Sequence, residues 1–277
     1  MTKGIRLSPA DTKAIANAFV TARLQATPLP AFPGERPADM DSAYACQDAA
    51  IGLWPDRIVG WKVGWIPDPF ATKYGECRLV GPIFAAHLRE GGDQAPVSMA
   101  IYPQGFSAVE AEYVFELKHD AGDATDWNEQ NVGDIIASVR LGIEVASSPL
   151  ATINDLGPAV IASDFGNNAG LVVGPPSGDW RNALQAGAHC QCLLDGVVVG
   201  TGGAASISGG PLAGLAFALN RNARRGRMLR AGELVTTGAA TGVHPVRPGQ
   251  VALARFGAAG EISCRLVAAQ PRRIAHG

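Results

Sequence analysis

Glu110 and Glu112 stand two positions apart in the run Ser107 to Phe115, where apolar and polar residues alternate. On a β-strand that spacing projects both carboxylates from one face, about 7 Å apart. Facing solvent, such a pair is unremarkable; enclosed, it requires a cation or a protonated partner, because two buried like charges are costly. Glu144 is the only charged residue in a second apolar run, Leu141 to Ala146, and a lone acid in a core strand needs a partner. Three carboxylate oxygens, with open positions for water or substrate, suit Mg²⁺ or Mn²⁺ better than zinc, which prefers nitrogen and sulfur. No histidine neighbours these acids in the sequence, in keeping with an all-oxygen site.

Lys62 lies within Ile58 to Trp65, an apolar run punctuated by Gly60 and Gly64. Three readings stand: a charge that guards an edge strand, a cation near an anionic substrate, or a lysine whose pKa burial lowers into the proton-transfer range. Asp164 follows an apolar run and precedes Phe165-Gly166-Asn167-Asn168, so it is either a turn residue capping its own backbone or a site residue. Thr237 is either a strand-end threonine or a carboxylate binder through hydroxyl and backbone. His87, His119, His189, His244 and His276 share no spacing, and Gly202-Gly203 through Ser208-Gly209-Gly210 lacks the ending of a phosphate loop. Cys190 and Cys192 share one strand face without a second pair at zinc-like spacing.

These residues need elements to hold them. Ser8-Pro9-Ala10-Asp11 starts a helix running to about Gln25, a Pro-rich connector follows, and Met40 to Leu53 reads as a second helix. From Ile58 the texture turns to short β-favouring runs: Ile58–Trp65, Ala108–Leu117, Leu141–Val145, Ala169–Val173, Cys190–Leu194, Val197–Thr201, Leu234–Thr237 and Val251–Phe256. Asp195-Gly196 marks a hairpin, and Pro211 to Arg225, stopped by Gly226, reads as a helix. The chain divides into a helical region, 1–57, and a mainly β region, 58–277.

The bulk numbers exclude other classes. With 47% hydrophobic and 17% charged residues over 277 positions the chain should fold, since disorder needs the opposite balance. A net charge of −2 and a basic cluster confined to Arg221–Arg230 give no footprint for nucleic acid. No segment nears the roughly 20 apolar residues that cross a bilayer, and the start lacks a secretory apolar stretch. Five scattered cysteines fit reduced thiols and a cytoplasmic setting.

Taken together, Gly60-Trp61-Lys62-Val63-Gly64, Val109-Glu110-Ala111-Glu112, Ile143-Glu144-Val145, Ala162-Ser163-Asp164 with Asn167, Asn168 and Gly170, Gly202-Gly203-Ala204-Ala205, Leu229 to Gly238 and Val246-Arg247-Pro248-Gly249-Gln250 resemble a family. It is that of the 2-oxopent-4-enoate (2-hydroxypentadienoate) hydratases and 4-oxalocrotonate decarboxylases, within the fumarylacetoacetate hydrolase superfamily. The resemblance implies an α+β fold, a mainly β mixed sandwich or roll carrying a helical N-terminal region. It implies Mg²⁺ or Mn²⁺ on Glu110, Glu112 and Glu144, with Lys62 and Asp164 catalytic and Thr237 and Asn167 contacting a small 2-oxo acid. The implied reaction is hydration of 2-hydroxypenta-2,4-dienoate to 4-hydroxy-2-oxopentanoate; decarboxylation of 4-oxalocrotonate (2-oxo-3-hexenedioate) and acylpyruvate-type C–C hydrolysis are the alternatives. Homo-oligomers, and association with a related pathway enzyme, are implied partners. Hydrolase branches carry Asp as third ligand and a water-activating His/Glu pair; here the third acid is Glu144 and no histidine precedes His87. The Asp that the family commonly has between Lys62 and Gly81 is missing, and whether Glu76 takes its place is left open by the sequence. Arg78 lacks a counterpart and is either a contact to a second substrate carboxylate or an ordinary surface arginine.

Overall fold

Helix α1 (Pro9–Gln25) starts where Ser8 Oγ accepts the Asp11 N–H and the Asp11 carboxylate accepts the Ser8 N–H, at 3.1 and 3.3 Å. Helix α2 (Met40–Leu53) is capped by Asp39, which accepts from the Ser42 N–H at 2.7 Å. The structure, a computed structural model, describes residues 7–92 and 95–272; Met1 to Arg6 and His276 lie outside the described residues.

The strands are β1 (Ile58–Trp65), β2 (Arg78–Phe84), β3 (Leu88–Glu90), β4 (Val97–Ile101), β5 (Phe106–Leu117), β6 (Ile136–Ser148) and β7 (Asn168–Val173), followed by β8 (Cys190–Leu194), β9 (Val197–Gly202), β10 (Leu234–Thr236), β11 (His244–Pro245), β12 (Val251–Arg255) and β13 (Glu261–Ala268). Between them run α3 (Phe70–Tyr74), α4 (Pro158–Ser163), α5 (Trp180–Ala186) and α6 (Gly210–Arg224). The large mixed sheet has the order β2-β1-β10-β5-β6-β7-β3, with β11 also on β5, and a five-stranded sheet has the order β4-β13-β12-β8-β9. The α+β class read from the sequence is the one the chain adopts. Asp195 and Gly196 both have positive φ, 50° and 84°, as the hairpin between β8 and β9 requires.

β2, β3, β4, β11 and β13 were not expected. In β2 the Gly81-Pro82 pair argues against a strand, yet β2 is the edge of its sheet, where a missing N–H costs no ladder bond. Gly81 is needed there: a Cβ would lie 2.0 Å from the Phe165 carbonyl oxygen, so the turn after α4 can rest directly on β2.

The N-terminal helices do not stand apart from the sheets. Ile15 and Phe19 of α1 and Cys46 of α2 share a buried cluster with Leu150, Ile153 and Val160. Trp54, Phe84 and Phe165 form an aromatic trio with centroids 5.0–5.5 Å apart, and buried Gln47 donates to the carbonyls of Val80 and Ala162 at 2.9 and 2.8 Å. These contacts fasten the turn 165–167, whose residues Phe165, Gly166 and Asn167 all have left-handed φ of 53°, 66° and 63°. Two non-glycine residues in that region store strain that only a packed surround maintains.

Candidate active site

β5 and β6 pair antiparallel with Glu110 directly opposite Glu144, and Glu112 opposite Gly142. Like charges facing each other across a ladder are destabilising, and here they are enclosed: Glu112 and Glu144 have no exposure and Glu110 has 6%. One carboxylate oxygen from each of the three acids lies within 4.8 Å of the others. Lys62, on β1, points its ammonium at Glu144 Oε1, 3.1 Å away, and Asn168 Nδ2 donates to the same oxygen at 3.2 Å. Where β10 ends, the N–H groups of Thr237 and Gly238 both donate to Glu112 Oε2, at 3.0 and 2.7 Å, and the φ of 114° at Gly238 allows the chain to turn both toward one oxygen.

The electrostatics follow from burial. Desolvation, with Lys62 pulling down and Glu144 pushing up, leaves the Glu110 carboxyl at about 7. Burial and then the neighbouring Glu144 and Glu110 charges raise Glu112 well above the usual carboxylate range. Burial alone would depress the Lys62 ammonium, but Glu144, Glu110 and Glu112 together outweigh it and hold it protonated. Of the sequence readings of Lys62, these neighbours favour the protonated cation over a lysine of lowered pKa. The other oxygen of Glu112, Oε1, is buried with no hydrogen-bond partner. Ionised together, three carboxylates against one ammonium would leave two uncompensated negative charges, which one divalent cation offsets; an orphaned carboxylate oxygen and an all-oxygen donor set fit Mg²⁺ or Mn²⁺. Stripping the protein of metal and adding Mg²⁺ at about 100 times its dissociation constant is expected to stabilise it by ~2.7 kcal/mol. A melting curve unmoved by Mg²⁺ or Mn²⁺ contradicts this.

Above the acids lies a cavity of about 510 Å³ whose charged lining residues are Lys62, Glu110 and Arg78. Asn167 also lines it, buried, with Oδ1 lacking a partner. Arg78 sits at the far wall with its guanidinium 5.3 Å from the Trp65 ring centroid; at 9% exposure it is no ordinary surface arginine.

Two residues expected at the chemistry have their polar groups engaged within the protein. Thr237 lines the cavity, but its N–H goes to Glu112 and its hydroxyl donates to the Tyr113 carbonyl at 2.9 Å, so it helps to hold Glu112 in place. Asp164 does not touch the cavity: its carboxylate accepts from Arg23 Nε and Nη2 at 2.5 and 2.9 Å and from Ser148 Oγ at 2.6 Å, with full burial. Arg23 also donates to the carbonyls of Asn168 and Ser147, both at 3.0 Å, tying α1 to the turn that carries Asn167. Asp164→Asn is expected to destabilise the fold by about 3–5 kcal/mol, because it strands a buried guanidinium. Urea denaturation checks this; unchanged stability with lost turnover would return Asp164 to a catalytic role. Glu76 is likewise outside the cavity, paired with Arg221 at 3.0 Å. Sequence reasoning missed Gly238, whose N–H faces Glu112, and Arg23, which no local pattern ties to Asp164.

No family model matches the chain. Among curated proteins it is 26% identical over 234 residues to the TodF product hydratase of Pseudomonas putida, covering 81% of this chain and 83% of that one. It is 28% identical over 197 residues to a 4-oxalocrotonate decarboxylase of a Pseudomonas species, covering 70% and 72%. Among solved structures it shares the fold of the 4-oxalocrotonate decarboxylase from Pseudomonas putida G7 complexed with magnesium and adipate, at a TM-score of 0.78 and 21% identity over 94% of this chain and 99% of that one. In sequence the chain is thus similar to proteins named 2-keto-4-pentenoate hydratase and 4-oxalocrotonate decarboxylase, and it shares its fold with a solved 4-oxalocrotonate decarboxylase.

Proposed function

We propose that the chain is a divalent-metal-dependent lyase acting on a small 2-oxo acid. Its first reaction is hydration of 2-hydroxypenta-2,4-dienoate to 4-hydroxy-2-oxopentanoate, and decarboxylation of 4-oxalocrotonate is the second reading. The observation that carries this is the enclosed triad of Glu110, Glu112 and Glu144 with Lys62 at the base of an apolar cavity. The three acids hold Mg²⁺ or Mn²⁺, which when bound supplies Lewis-acid polarisation of a 2-oxo group.

Both reactions deliver a proton to a carbon of the substrate chain, in ketonisation of a dienol or after carbon dioxide leaves. Lys62, kept protonated and desolvated where it lines the cavity, is the group we assign to deliver that proton. Asn167 offers its amide to the substrate, and Trp65, Phe70, Phe106, Ile161 and Ile207 restrict bulk water, which strengthens every charge interaction inside. The names of the relatives support both reactions. Decarboxylation of a dicarboxylic substrate is favoured by one feature, the charge of Arg78 at the far wall. Hydrolysis lacks support in the cavity, since no histidine lines it among the described residues. The five free thiols suit a cytoplasmic setting.

The test incubates metal-loaded protein separately with 2-hydroxypenta-2,4-dienoate and 2-oxo-3-hexenedioate, following ultraviolet absorbance and carbon dioxide. Absorbance loss without carbon dioxide identifies hydration, and carbon dioxide release identifies decarboxylation. Metal-loaded protein that transforms neither overturns the proposal.

A further inference from the structure

The cavity above the acids is larger than the proposed chemistry requires. 2-Hydroxypenta-2,4-dienoate has eight non-hydrogen atoms, and even at the roughly 30 Å³ that a water takes in the liquid they fill about 240 Å³. The cavity holds about 510 Å³. Its length shows the same excess. Trp65 stands three positions beyond Lys62 on β1, and Phe106 four positions before Glu110 on β5. β1 is parallel to β10 and β10 is antiparallel to β5, so both displacements lead to one end of the sheet, about 10 Å from Lys62 and about 13 Å from Glu110. A dienoate with its 2-oxo acid head at the acids has only three further carbons, which extend it by about 4 Å.

The lining that such a head group leaves unused is apolar: Trp65, Phe70, Ile161, Ile207 and Val243. Part of it is bare. Among the described residues few large apolar side chains are strongly exposed, and two of these, Trp65 at 51% and Val243 at 50%, meet at this cavity from distant parts of the chain. Exposed apolar side chains that converge on a cavity mark a surface that a ligand covers, unlike ones scattered singly. The rim is also held in shape. The Arg78 guanidinium lies 5.3 Å from the Trp65 ring centroid and holds the indole in place. Gly157 keeps room for the Phe70 ring, since a Cβ there would stand 3.2 Å from two of its atoms.

We infer that the site prefers 2-hydroxydienoic and 2-oxo acids whose far end carries a bulky apolar group, a phenyl ring or a branched alkyl chain, packed on Trp65, Phe70 and Val243. This rests on the proposed 2-oxo acid chemistry and narrows it. The unsubstituted five-carbon dienoate leaves the apolar end wet, whereas the larger acid covers it and gains in proportion to the area removed from water.

Three unreactive ligands test this: 2-oxopentanoate, 2-oxo-5-phenylpentanoate and 2-oxoadipate share the 2-oxo acid head and lack the double bond that the chemistry needs. Titrated calorimetrically into the Mg²⁺-loaded protein, the phenyl acid is expected to bind about tenfold or more tighter than 2-oxopentanoate. Trp65→Ala should cut that ratio to about threefold or less, with the affinity for 2-oxopentanoate unchanged. Val243→Ala should lower it by a smaller factor, and it decides the matter should Trp65→Ala lose Mg²⁺ binding and with it the evidence of folding. Val197→Ala removes an equally bare side chain from β9, remote from the cavity lining, and should leave the ratio as it is, which separates a built site from general adhesion to apolar surface. Equal binding of the phenyl acid and 2-oxopentanoate to the unaltered protein overturns the apolar assignment and leaves the 2-oxo acid reading standing. So does a ratio that survives both cavity substitutions, or tightest binding by 2-oxoadipate. Failure of all three ligands to bind, with Mg²⁺ bound, overturns the 2-oxo acid reading and the assignment with it.

Discussion

Glu112→Gln is expected to weaken Mg²⁺ binding by at least about 10²-fold, since even the outer-shell partners of metal ligands typically cost 10–100-fold when removed. The argument starts from the two oxygens of Glu112. Oε2 is held by the N–H groups of Thr237 and Gly238, and Oε1 is buried without a partner. A glutamine that keeps its oxygen on those two donors presents an –NH₂ to the cation position. Turned the other way, it faces two N–H groups with a third donor. Either rotamer loses a ligand, and the missing charge no longer offsets dehydration of the dication. The same substitution removes one of three crowded carboxylates, so the metal-free variant should be no less stable than the metal-free parent. Metal titration and thermal melts read the two effects separately. Parental metal affinity with lost turnover would make Glu112 a proton-transfer residue.

Lys62→Met is expected to lower kcat by about 10²-fold or more, the usual contribution of a positioned acid or base. Methionine keeps the apolar stem on β1 and removes the ammonium that stands 3.1 Å from Glu144. Because that ammonium repels a cation placed among the same acids, metal affinity should hold or rise. A residue needed only to steady Glu144 would show the opposite, weaker metal binding with kcat recoverable at high Mg²⁺. Near-normal kcat with full metal content would reduce Lys62 to a structural cation.

Much of this site is legible in the chain because its three acids lie on long, regular strands. Alternation in Ser107 to Phe115 puts Glu110 and Glu112 on one face whatever the tertiary context, and the apolar setting of Glu144 declares an enclosed acid. The helices α1 and α2 are marked by their own caps, Ser8 and Asp39. What the sequence does not display are facts of long-range pairing. Glu110 faces Glu144 only through the β5–β6 register. Asp164 reads as a turn residue or a catalyst because its partner Arg23 lies in the first helix, and no local pattern announces a contact across that separation. β2 is obscured by Gly81-Pro82, which makes sense only once the strand is known to be an edge with a turn packed on it.

Crystals grown with Mn²⁺ and measured at a wavelength where manganese scatters anomalously test the central claim directly. A single peak bounded by Glu110, Glu112 and Glu144, lost in Glu112→Gln, is the expected result. Manganese bound elsewhere, or absent at concentrations that support turnover, would contradict it.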